Sequence, residues 1–422
     1  MAEHVRSEEH SEVAFVGVPD SLEARLASEA GVEFIGVDAK GWDRAAPLSF
    51  LAAAVTTAAS FFRCLVLLRR RKTDVVIGFG GYVSLPLGLA AAFGGVPLVL
   101  HEQNSIPGLA NRVLSRWATV ACVTYASSIP RLAHPGRALV TGNPVRPAVL
   151  SADAVAGRRA LRLKKSETVL LVFGGSRGAR HLNQAMIGLY PKLKEIAKLQ
   201  VVHIAGPTEA AAVRDALAKG AGGKLPGWWQ VLEYTDQMGD AIAAADAVVC
   251  RAGATTLAEL AAIGRPALLV PYPYATDDHQ SHNATPFLEA GAAVAVSDSG
   301  LDSPAFGDEV LHLLTDVPRR GAMAAAAAQM GRPYAAAAVA DAALEAGLAG
   351  SPWRFKERRE AAATHRLLDS AEDAVPTRPA EADEGVTAVV AGDADAACDA
   401  GSVPEAPAAP DAASAAHEGS GS

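Results

Sequence analysis

The sequence predicts an α/β protein built from two doubly wound domains that face each other across a cleft. Its 422 residues suffice for about two domains. Short, continuously apolar runs alternate with longer helical stretches, which is typical of parallel strands covered on both faces. Two such series meet around Thr141–Val149, where two prolines interrupt regular structure. We therefore expect domains at residues 1–145 and 146–350.

Each domain is expected to consist of βαβ units. In chain order, the expected strands are Val13–Gly17, Val75–Gly78, Leu98–Leu100, Thr119–Val123, Thr168–Phe173, Val201–Ala205, Ala247–Cys250 and Ala267–Val270. Segments such as Ser21–Ala30 and Asn183–Lys198 are expected to be helices. The alanine-rich residues Ala322–Ala349 should be mostly helical with a break at Pro333, and should pack back on the body of the protein.

The apolar stretch Leu48–Leu68 is nearly long enough to span a bilayer. However, Arg63 lies inside it, and the basic run Arg69–Lys72 leads almost directly into the strand Val75–Gly78. A helix connected so tightly to a strand should pack on the sheet. The sequence therefore favours a crossover helix over a transmembrane helix.

A candidate membrane patch lies at the end of this helix. Its members are Phe61, Phe62, Leu65, Arg69, Arg70, Arg71 and Lys72. Each basic residue near an anionic membrane can contribute about 1 kcal/mol of attraction. Basic residues also interact favourably with the dipole at a helix C-terminus without any membrane. The residues alone leave both explanations open.

Acidic residues are concentrated near the C-terminus. The formal charge is −8, but residues 361–422 contain twelve acidic and two basic residues. The remaining 36 basic and 34 acidic residues nearly cancel, which disfavours a dedicated nucleic-acid binder. Beyond about Pro376 there is almost no large apolar residue. We therefore expect residues 351–422 to form an acidic, mostly disordered tail.

The four cysteines are scattered. Cys64, Cys122, Cys250 and Cys398 form no C-x-x-C pair and have no histidine at zinc spacing. The polar opening MAEHVRSEEHSEVAF shows no apolar core of a signal peptide. These features are typical of a reducing compartment, and they predict a cytosolic protein.

Three glycine-rich turns follow expected strands, at Gly78–Tyr82, Gly174–Ala179 and Arg251–Thr256. Glycine allows a sharp turn and a close approach to a ligand, and the next helix points unpaired N–H groups at a phosphate. Tight turns also use glycine for packing alone. None of the three matches the dinucleotide-binding or P-loop patterns, which disfavours nicotinamide dehydrogenases and P-loop hydrolases. The expected ligand is a nucleotide or nucleotide sugar held mainly by backbone amides.

A polar cluster, His101-Glu102-Gln103-Asn104, directly follows the strand Leu98–Leu100. Doubly wound folds place ligand groups at strand ends, and His and Glu supply a candidate base and acid. Alternatively, Asn104 or Ser105 caps the next helix and needs no ligand. The sequence leaves both interpretations open.

Two further acidic positions are candidates for sugar recognition. Glu259 lies about one turn into the helix after the third glycine turn, where a carboxylate can either bind ribose hydroxyls or compensate the helix dipole. Asp277-Asp278-His279-Gln280 lies just past a strand and contains metal-ligand residue types. Because no second cluster accompanies it, we expect a sugar-binding or capping loop and no metal.

Six motifs occur in one order along the chain. They are GFGGY at 78–82, HEQN at 101–104 with GLANR at 108–112, TGNPVR at 141–146, GGSRGA–LNQ at 174–184, RAGATTLAEL at 251–260 and DHQSHNA at 278–284. With these motifs, residues 11–347 closely resemble the peptidoglycan N-acetylglucosaminyltransferases of glycosyltransferase family 28, which are inverting enzymes of the GT-B type.

The resemblance implies a fold and an activity. Two Rossmann-like domains would enclose the cleft. The C-terminal domain would bind UDP-N-acetylglucosamine, and the N-terminal domain would bind undecaprenyl-pyrophosphoryl-N-acetylmuramyl-pentapeptide (lipid I) at the cytoplasmic face of the cell membrane. The acceptor 4-hydroxyl would displace UDP with inversion and give lipid II. The resemblance implies no cofactor and no tightly bound metal; the anionic inner leaflet and other cell-wall synthesis proteins are candidate partners.

The resemblance also assigns roles to individual residues. Positions that match donor-binding residues are Asn104, Arg146, Ser176, Thr235, Ala254, Thr255, Thr256, Glu259 and Gln280. Within this set, Ser176 would meet the diphosphate and Glu259 the ribose hydroxyls. Thr235 would contact uracil through its backbone, and Gln280 with His279 would contact the sugar hydroxyls.

A second group matches positions important for activity. His101, Glu102 and Tyr82 are the candidate catalytic residues. The supporting residues are Asn111, Asn183, Gly174, Gly175, Gly253 and His279.

One departure from the family concerns the N-terminus. Family members begin with a strand and a G-G-T-G-G-H loop that is thought to cradle the acceptor pyrophosphate and to carry the favoured general base. The opening residues here match only the end of the next helix and the second strand. Either the start is assigned downstream of the true one, or the protein is shortened. A shortened protein would lack a central strand and have unpaired sheet edges.

Three functions follow from these considerations. The first is transfer of N-acetylglucosamine to lipid I. The second, suggested by the departure at the N-terminus, is a catalytically impaired donor-binding or scaffold module. The third is another GT-B enzyme of sugar nucleotides, such as an epimerase or a diacylglycerol glycosyltransferase. The HEQN and DHQSHNA loops favour the first over the third.

Overall fold

The computed structural model describes residues 11–39, 47–175, 178–352 and 387–391. They form two parallel sheets, one of seven strands and one of six. Helices pack on both faces of the sheets, as the continuously apolar strand pattern predicts. The α/β class and the doubly wound, GT-B-like architecture are confirmed.

The first sheet and its helices come mainly from the first 140 residues. The elements are β1 (Glu12–Gly17), α1 (Leu22–Glu29), β2 (Glu33–Gly36), α2 (Pro47–Arg70), β3 (Val75–Gly78), α3 (Gly81–Gly94), β4 (Leu98–Glu102), α4 (Leu109–Leu114), β5 (Val120–Val123) and β6 (Ala138–Val140). Short 3-10 turns at 126–131 and 135–137 lie between β5 and β6.

The second series of elements begins with two short linking helices, supplies the second sheet, and ends with β13, which belongs to the first sheet. The elements are α5 (Pro147–Leu150), α6 (Ala154–Ala160), β7 (Thr168–Phe173), α7 (Arg180–Gly188), α8 (Tyr190–Leu193), β8 (Leu199–Ile204), α9 (Ala210–Gly220), β9 (Trp229–Leu232), α10 (Met238–Ala244), β10 (Ala247–Cys250), α11 (Ala254–Ile263), β11 (Ala267–Leu269), α12 (His279–Glu289), β12 (Ala293–Ala295), α13 (Pro304–Thr315), α14 (Val317–Met330), α15 (Ala335–Gly350) and β13 (Thr387–Ala391). The interval between β6 and β7 contains the expected boundary at residue 145.

The strand order is β2-β1-β13-β3-β4-β5-β6 in the first sheet and β12-β11-β10-β7-β8-β9 in the second. β3, β7 and β10 have the predicted bounds. The strands that were not predicted before β13 are β2, β6, β9 and β12, and all four lie at a sheet edge. Their burial alternates or is incomplete, so they lack the continuous apolar run of a central strand.

Two sequence predictions about element bounds are wrong. β4 extends to Glu102, so His101 and Glu102 lie on the strand rather than after it. The helix expected at 183–198 ends at Gly188, and a second short helix ends at Leu193. A new helix begins at Tyr190 because Pro191 lacks the N–H needed to continue the first one.

The apolar stretch at 48–68 is a crossover helix, as expected. It forms α2, whose Cys64 and Leu68 are buried in the core beside Val76 of β3 and Leu87 of α3. Within the described ranges, no helix has both the length and the apolar character needed to cross a membrane.

The prediction of a disordered tail is wrong for residues 387–391. These residues form β13, which pairs in parallel with β1 on one side and β3 on the other. The segment TAVVA contains only two valines and lies between acidic and small residues, so its apolar character was overlooked. β13 occupies a central position, between β1 and β3, where a shortened protein was expected to lack a strand. The other tail residues, 353–386 and 392–422, lie outside the described ranges.

The alanine-rich helices return to the first sheet. The predicted break at Pro333 falls between α14 and α15. Val339 and Ala343 of α15 are buried against Val75 and Ile77 of β3. Small side chains let this helix approach the sheet closely, and the contact joins the end of the second domain to the first.

Candidate functional site

His101 lies in the interior at the carboxyl end of β4. Its side chain is fully buried, and its Nε2 lies 3.1 Å from the carbonyl oxygen of Gly142. Burial lowers the pKa of His101 to about 4, so the ring is neutral at pH 7 and donates from Nε2. This bond connects β4 to the TGNPVR segment.

Glu102 organises the loop that follows β4. Its carboxylate accepts hydrogen bonds from the backbone N–H groups of Asn104 at 2.9 Å and Gly108 at 3.1 Å, and from Asn111 Nδ2 at 2.8 Å. Burial raises the pKa of Glu102, and these donors oppose the shift. Its partners all lie between residues 104 and 111.

The first glycine turn lies beside this loop. Gly80 and Gly81 have φ angles of 89° and 76°, which only glycine adopts readily. Asn111 Nδ2 also donates to the His101 carbonyl at 3.1 Å. A Cβ on Gly80 would lie 3.4 Å from that same Nδ2. Tyr82, in the first turn of α3, is 55% exposed, unlike His101 and Glu102.

The HEQN loop contacts the second domain through Asn283. Asn283 Nδ2 donates to Asn104 Oδ1 at 3.0 Å, and Asn283 Oδ1 accepts from the Ser105 N–H at 2.8 Å. The interpretation of Asn104 or Ser105 as a helix cap is wrong, because α4 begins after Gly108. The Asn104 side chain and the Ser105 backbone N–H instead bind Asn283 and so join the domains at the cleft.

The third glycine turn presents a helix N-terminus. α11 begins after Gly253, which has no side chain to cap it. The N–H groups of Ala254, Thr255 and Thr256 are first-turn donors without partners inside the helix. They point along the positive end of the helix dipole, which favours a bound anion.

Glu259 lies on the same helix and is buried. Arg146 Nη2 lies 3.1 Å from Glu259 Oε1. Burial raises the pKa of Glu259, and Arg146 lowers it. The Arg146 side chain is 61% exposed, so the pair can open when a ligand arrives.

Gln280 connects two loops at the same edge. Its Oε1 accepts from the N–H groups of Ala252 at 3.1 Å and Tyr272 at 3.0 Å. His279, half-buried, begins α12 beside it. Thr235 follows β9, and its hydroxyl accepts from the Gln237 N–H at 3.2 Å.

In the second glycine turn, Gly174 is tightly packed and Gly175 faces open space. A Cβ on Gly174 would lie 2.3 Å from Ala179 Cβ, whereas one on Gly175 would meet nothing within 4 Å. Asn183 Nδ2 donates to the Ala205 carbonyl at 2.9 Å, and its Oδ1 lies 2.9 Å from His203 Nε2. Ser176 lies outside the described residues.

Sequence reasoning missed a charged cluster beside the third glycine turn. Arg251 Nη1 lies 2.6 Å from Asp298 Oδ1, and its guanidinium lies 5.5 Å from the centre of the Tyr272 ring. His181 Nδ1 lies 2.7 Å from Asp298 Oδ2, and this hydrogen bond raises the pKa of His181. The members come from distant parts of the chain, so no local motif connects them.

Metal ligands are not grouped in the part of the chain that the structure describes. No set of three or more His, Cys, Asp or Glu side chains there is arranged to hold an ion. Asp277 and Asp278 both adopt left-handed backbone conformations in the loop before α12.

The predicted membrane patch is part of a larger aromatic surface. Phe62 is 64% exposed and Phe93 is 68% exposed. The ring of Phe61 contacts both, with centroid distances of 5.2 and 5.9 Å, and Phe93 contacts Trp117 at 6.2 Å. We call Phe61, Phe62, Phe93 and Trp117 the aromatic patch. Phe93 and Trp117 were missed because Phe93 lies on α3 and Trp117 in the turn after α4.

The basic residues near the aromatic patch differ in their pairing. Arg71 forms a two-point ion pair with Glu33. Among the described residues, no ion pair involves Arg69, Arg70 or Lys72, all of which are exposed. Leu65 is half-buried between the patch and the core.

Known proteins resemble this chain over most of its length. The profile of the glycosyltransferase family 28 N-terminal domain matches residues 1–123, and that of the C-terminal domain matches residues 169–339. A UDP-N-acetylglucosamine–N-acetylmuramyl-(pentapeptide) pyrophosphoryl-undecaprenol N-acetylglucosamine transferase from Halothermothrix orenii is 39% identical over 327 residues, which cover 77% of this chain and 88% of the relative.

Solved structures give the same result. The crystal structure of Acinetobacter baumannii MurG superimposes with a TM-score of 0.64 at 30% identity, covering 82% of this chain and 95% of that one. A Neisseria meningitidis UDP-GlcNAc 2-epimerase superimposes with a TM-score of 0.58 at 12% identity, covering 81% of this chain and 94% of that one, and shares only the fold. The sequence identity and coverage of the Halothermothrix protein show that this chain belongs to glycosyltransferase family 28.

Proposed function

We propose that this chain transfers N-acetylglucosamine from UDP-N-acetylglucosamine to the 4-hydroxyl of lipid I and forms lipid II. The names of its relatives support this donor and acceptor. The observation that carries the proposal is the convergence of the motifs on one cleft. The HEQN loop of the first domain meets the DHQSHNA helix of the second domain through Asn283. The second domain also presents Glu259 and the N-terminus of α11.

The donor would be held by the second domain. First-turn amides at 254–256 would hold the diphosphate, and the same amides would stabilise the charge that develops on UDP as it leaves. Glu259 would exchange Arg146 for the ribose hydroxyls. Gln280 already holds two backbone N–H groups, so it would position the sugar-binding loop as well as contact the sugar.

The acceptor would be held by the first domain. His101 and Glu102 are buried, and His101 Nε2 and the Glu102 carboxylate are hydrogen-bonded to the surrounding loops, which favours a role in positioning over direct proton transfer. Tyr82 is exposed beside the glycine turn and is the better candidate for contact with the acceptor. Inversion requires the acceptor 4-hydroxyl to attack C1 from the face opposite UDP.

The aromatic patch would contact the membrane that carries the lipid acceptor. Exposed Phe62 and Phe93 can enter the interface, where aromatic rings are favoured. Arg69, Arg70 and Lys72 would face anionic headgroups. This arrangement supports a peripheral location at the cytoplasmic face of the membrane, with the cleft near the acceptor headgroup.

An acceptor-dependent release assay tests the proposal. The full chain would be incubated with UDP-N-acetylglucosamine and a short-chain lipid I analogue, and UDP release would be measured with and without the acceptor. We expect release only with both substrates, and weaker release when UDP-glucose replaces the donor. Donor binding without release at high enzyme concentration would contradict the proposal, and equal use of UDP-glucose would favour a different GT-B enzyme.

A further inference from the structure

A five-residue segment near the C-terminus lies in the centre of the first sheet. β13 is paired in register along both sides. Its Val389 lies opposite Ala14 of β1, and its Ala388 lies opposite Val75 of β3. Every other strand of this sheet comes from residues 12–140. Without β13, β1 and β3 would each present an unpaired edge inside the sheet.

The side chains of β13 contribute to both cores of this domain. Val389 and Ala391 pack with α2 and α3 on one face. Ala388 and Val390 pack with α15 on the other face. All four are almost completely buried. The alternation of the apolar side chains therefore matches a strand covered on both faces.

The carboxyl end of β13 contacts the first glycine turn. The Ala391 carbonyl accepts a hydrogen bond from the Phe79 N–H at 2.8 Å and another from Ser84 Oγ at 3.1 Å. Ser84 Oγ also donates to the Gly80 carbonyl. The strand therefore contacts the turn directly at Phe79 and, through Ser84, at the Gly80 carbonyl.

We propose that residues 387–391 act as an intramolecular donor strand. The segment completes the sheet of the acceptor domain, joins the β1–α1–β2 unit to the rest of that domain, and positions the first glycine turn for the acceptor. The part of this proposal that concerns the acceptor rests on the proposed function. The part that concerns the strand does not.

A disulfide test addresses the strand directly. Neighbouring strands bring Cα atoms within the range that a disulfide spans. We expect the double variant A14C/V389C, in a chain that also carries C398S, to form an intramolecular disulfide on mild oxidation and to remain a monomer in denaturing electrophoresis. The matched pair A14C/V317C, whose second position is an exposed valine at the start of α14, should stay reduced. A disulfide-linked dimer would show that the strand pairs with β1 of a second copy. The absence of a disulfide would show that residues 387–391 do not lie beside β1. Either result overturns the proposal.

Hydrogen exchange tests the consequence for the sheet. V389D places a charge at a fully buried position of β13, and V317D makes the same change at an exposed valine of α14. We expect V389D to speed amide exchange in β1 and β3 at least tenfold, while exchange in β7 and β10 and the affinity for UDP change less than twofold. V317D should match the parent chain. Unchanged protection of β1 and β3 in V389D would contradict the proposal.

S84A tests the positioning of the turn. It removes both hydroxyl bonds and leaves the strand in place. We expect the KM for the lipid acceptor to rise several-fold while the KM for the donor stays within twofold. An unchanged acceptor KM overturns the positioning role. Absence of turnover in the parent chain would instead count against the proposed function, and the disulfide result would still decide the strand.

Discussion

At the residue scale, a substitution of Glu259 tests the role of this side chain in binding the donor. It is buried beside an exposed arginine that can be displaced. We expect Glu259→Gln to lower kcat/KM for the donor about 10- to 100-fold, because hydrogen bonds to a charged acceptor are worth about 1.5–3 kcal/mol. Titration with UDP gives the affinity directly. Glu195→Gln, at an acid whose side chain is 76% exposed, should leave it unchanged. Equal affinity in Glu259→Gln and the parent chain would refute the ribose role.

His181 predicts a pH dependence of stability. Its pKa is raised by the hydrogen bond to Asp298 and further by Asp302; burial raises the pKa of Asp298, but His181 and Arg251 lower it overall. A raised histidine pKa contributes stability that is fully present below about pH 6.5 and is lost as the pH rises through the folded-state value.

The test compares urea unfolding of the parent chain and His181→Gln. We expect the difference in unfolding free energy to be larger at pH 6 than at pH 9. His312→Gln, at an exposed position on α13, should show no such trend. If the difference in unfolding free energy between the two proteins grew with pH, the predicted direction of the pH dependence would be wrong.

At the element scale, the second glycine turn offers two matched substitutions. Gly178 and Gly175 both have positive φ, at 80° and 98°. A Cβ on Gly178 would lie 2.3 Å from the Ala205 carbonyl oxygen, whereas Gly175 has open space. We expect Gly178→Ala to cost about 3 kcal/mol of unfolding free energy and Gly175→Ala about 1 kcal/mol, since only the first adds a clash to the strain. Equal losses in thermal or urea unfolding would contradict this.

The aromatic patch predicts binding to anionic vesicles. Phe62 and Phe93 lie on α2 and α3 and share a contact with Phe61. We expect the double change Phe62→Ser and Phe93→Ser to lower binding to phosphatidylglycerol vesicles at least tenfold in a sedimentation assay, because two large apolar side chains would no longer enter the interface. Tyr334→Ser, at an exposed aromatic residue outside the patch, is the control. Equal vesicle binding by the parent chain, the double variant and Tyr334→Ser would exclude the aromatic patch as a membrane-binding surface.

At the scale of the whole molecule, the sequence predicts central features better than edges. Continuous apolar runs identified β3, β7 and β10 to the residue, because buried parallel strands need apolar side chains on both faces. Edge strands such as β2 and β12 are partly exposed and carry no such run. β13 was missed because its two valines stand among small residues with acidic residues on either side, and because nothing local reports that β1 and β3 leave a gap between them.

The candidate site shows the same limit. Glycine turns and helix starts are local, so the ends of β3, β7 and β10 could be assigned as ligand positions. The contacts that bring the site together are not local: Asn283 on α12 donates to Asn104, in the loop after β4, across 179 positions. The interpretation of His101 and Glu102 as a candidate base and acid directly after the strand did not anticipate that β4 continues through both residues and that both are buried.

The central claim is that the second domain holds uridine diphosphate at the N-terminus of α11. A crystal structure of the full chain with bound UDP tests it most directly. The account predicts the diphosphate against the N–H groups of residues 254–256 and the ribose hydroxyls on Glu259, with Arg146 moved away from that carboxylate. UDP bound in the first domain, or an Arg146–Glu259 pair that persists with the ligand elsewhere, would contradict it.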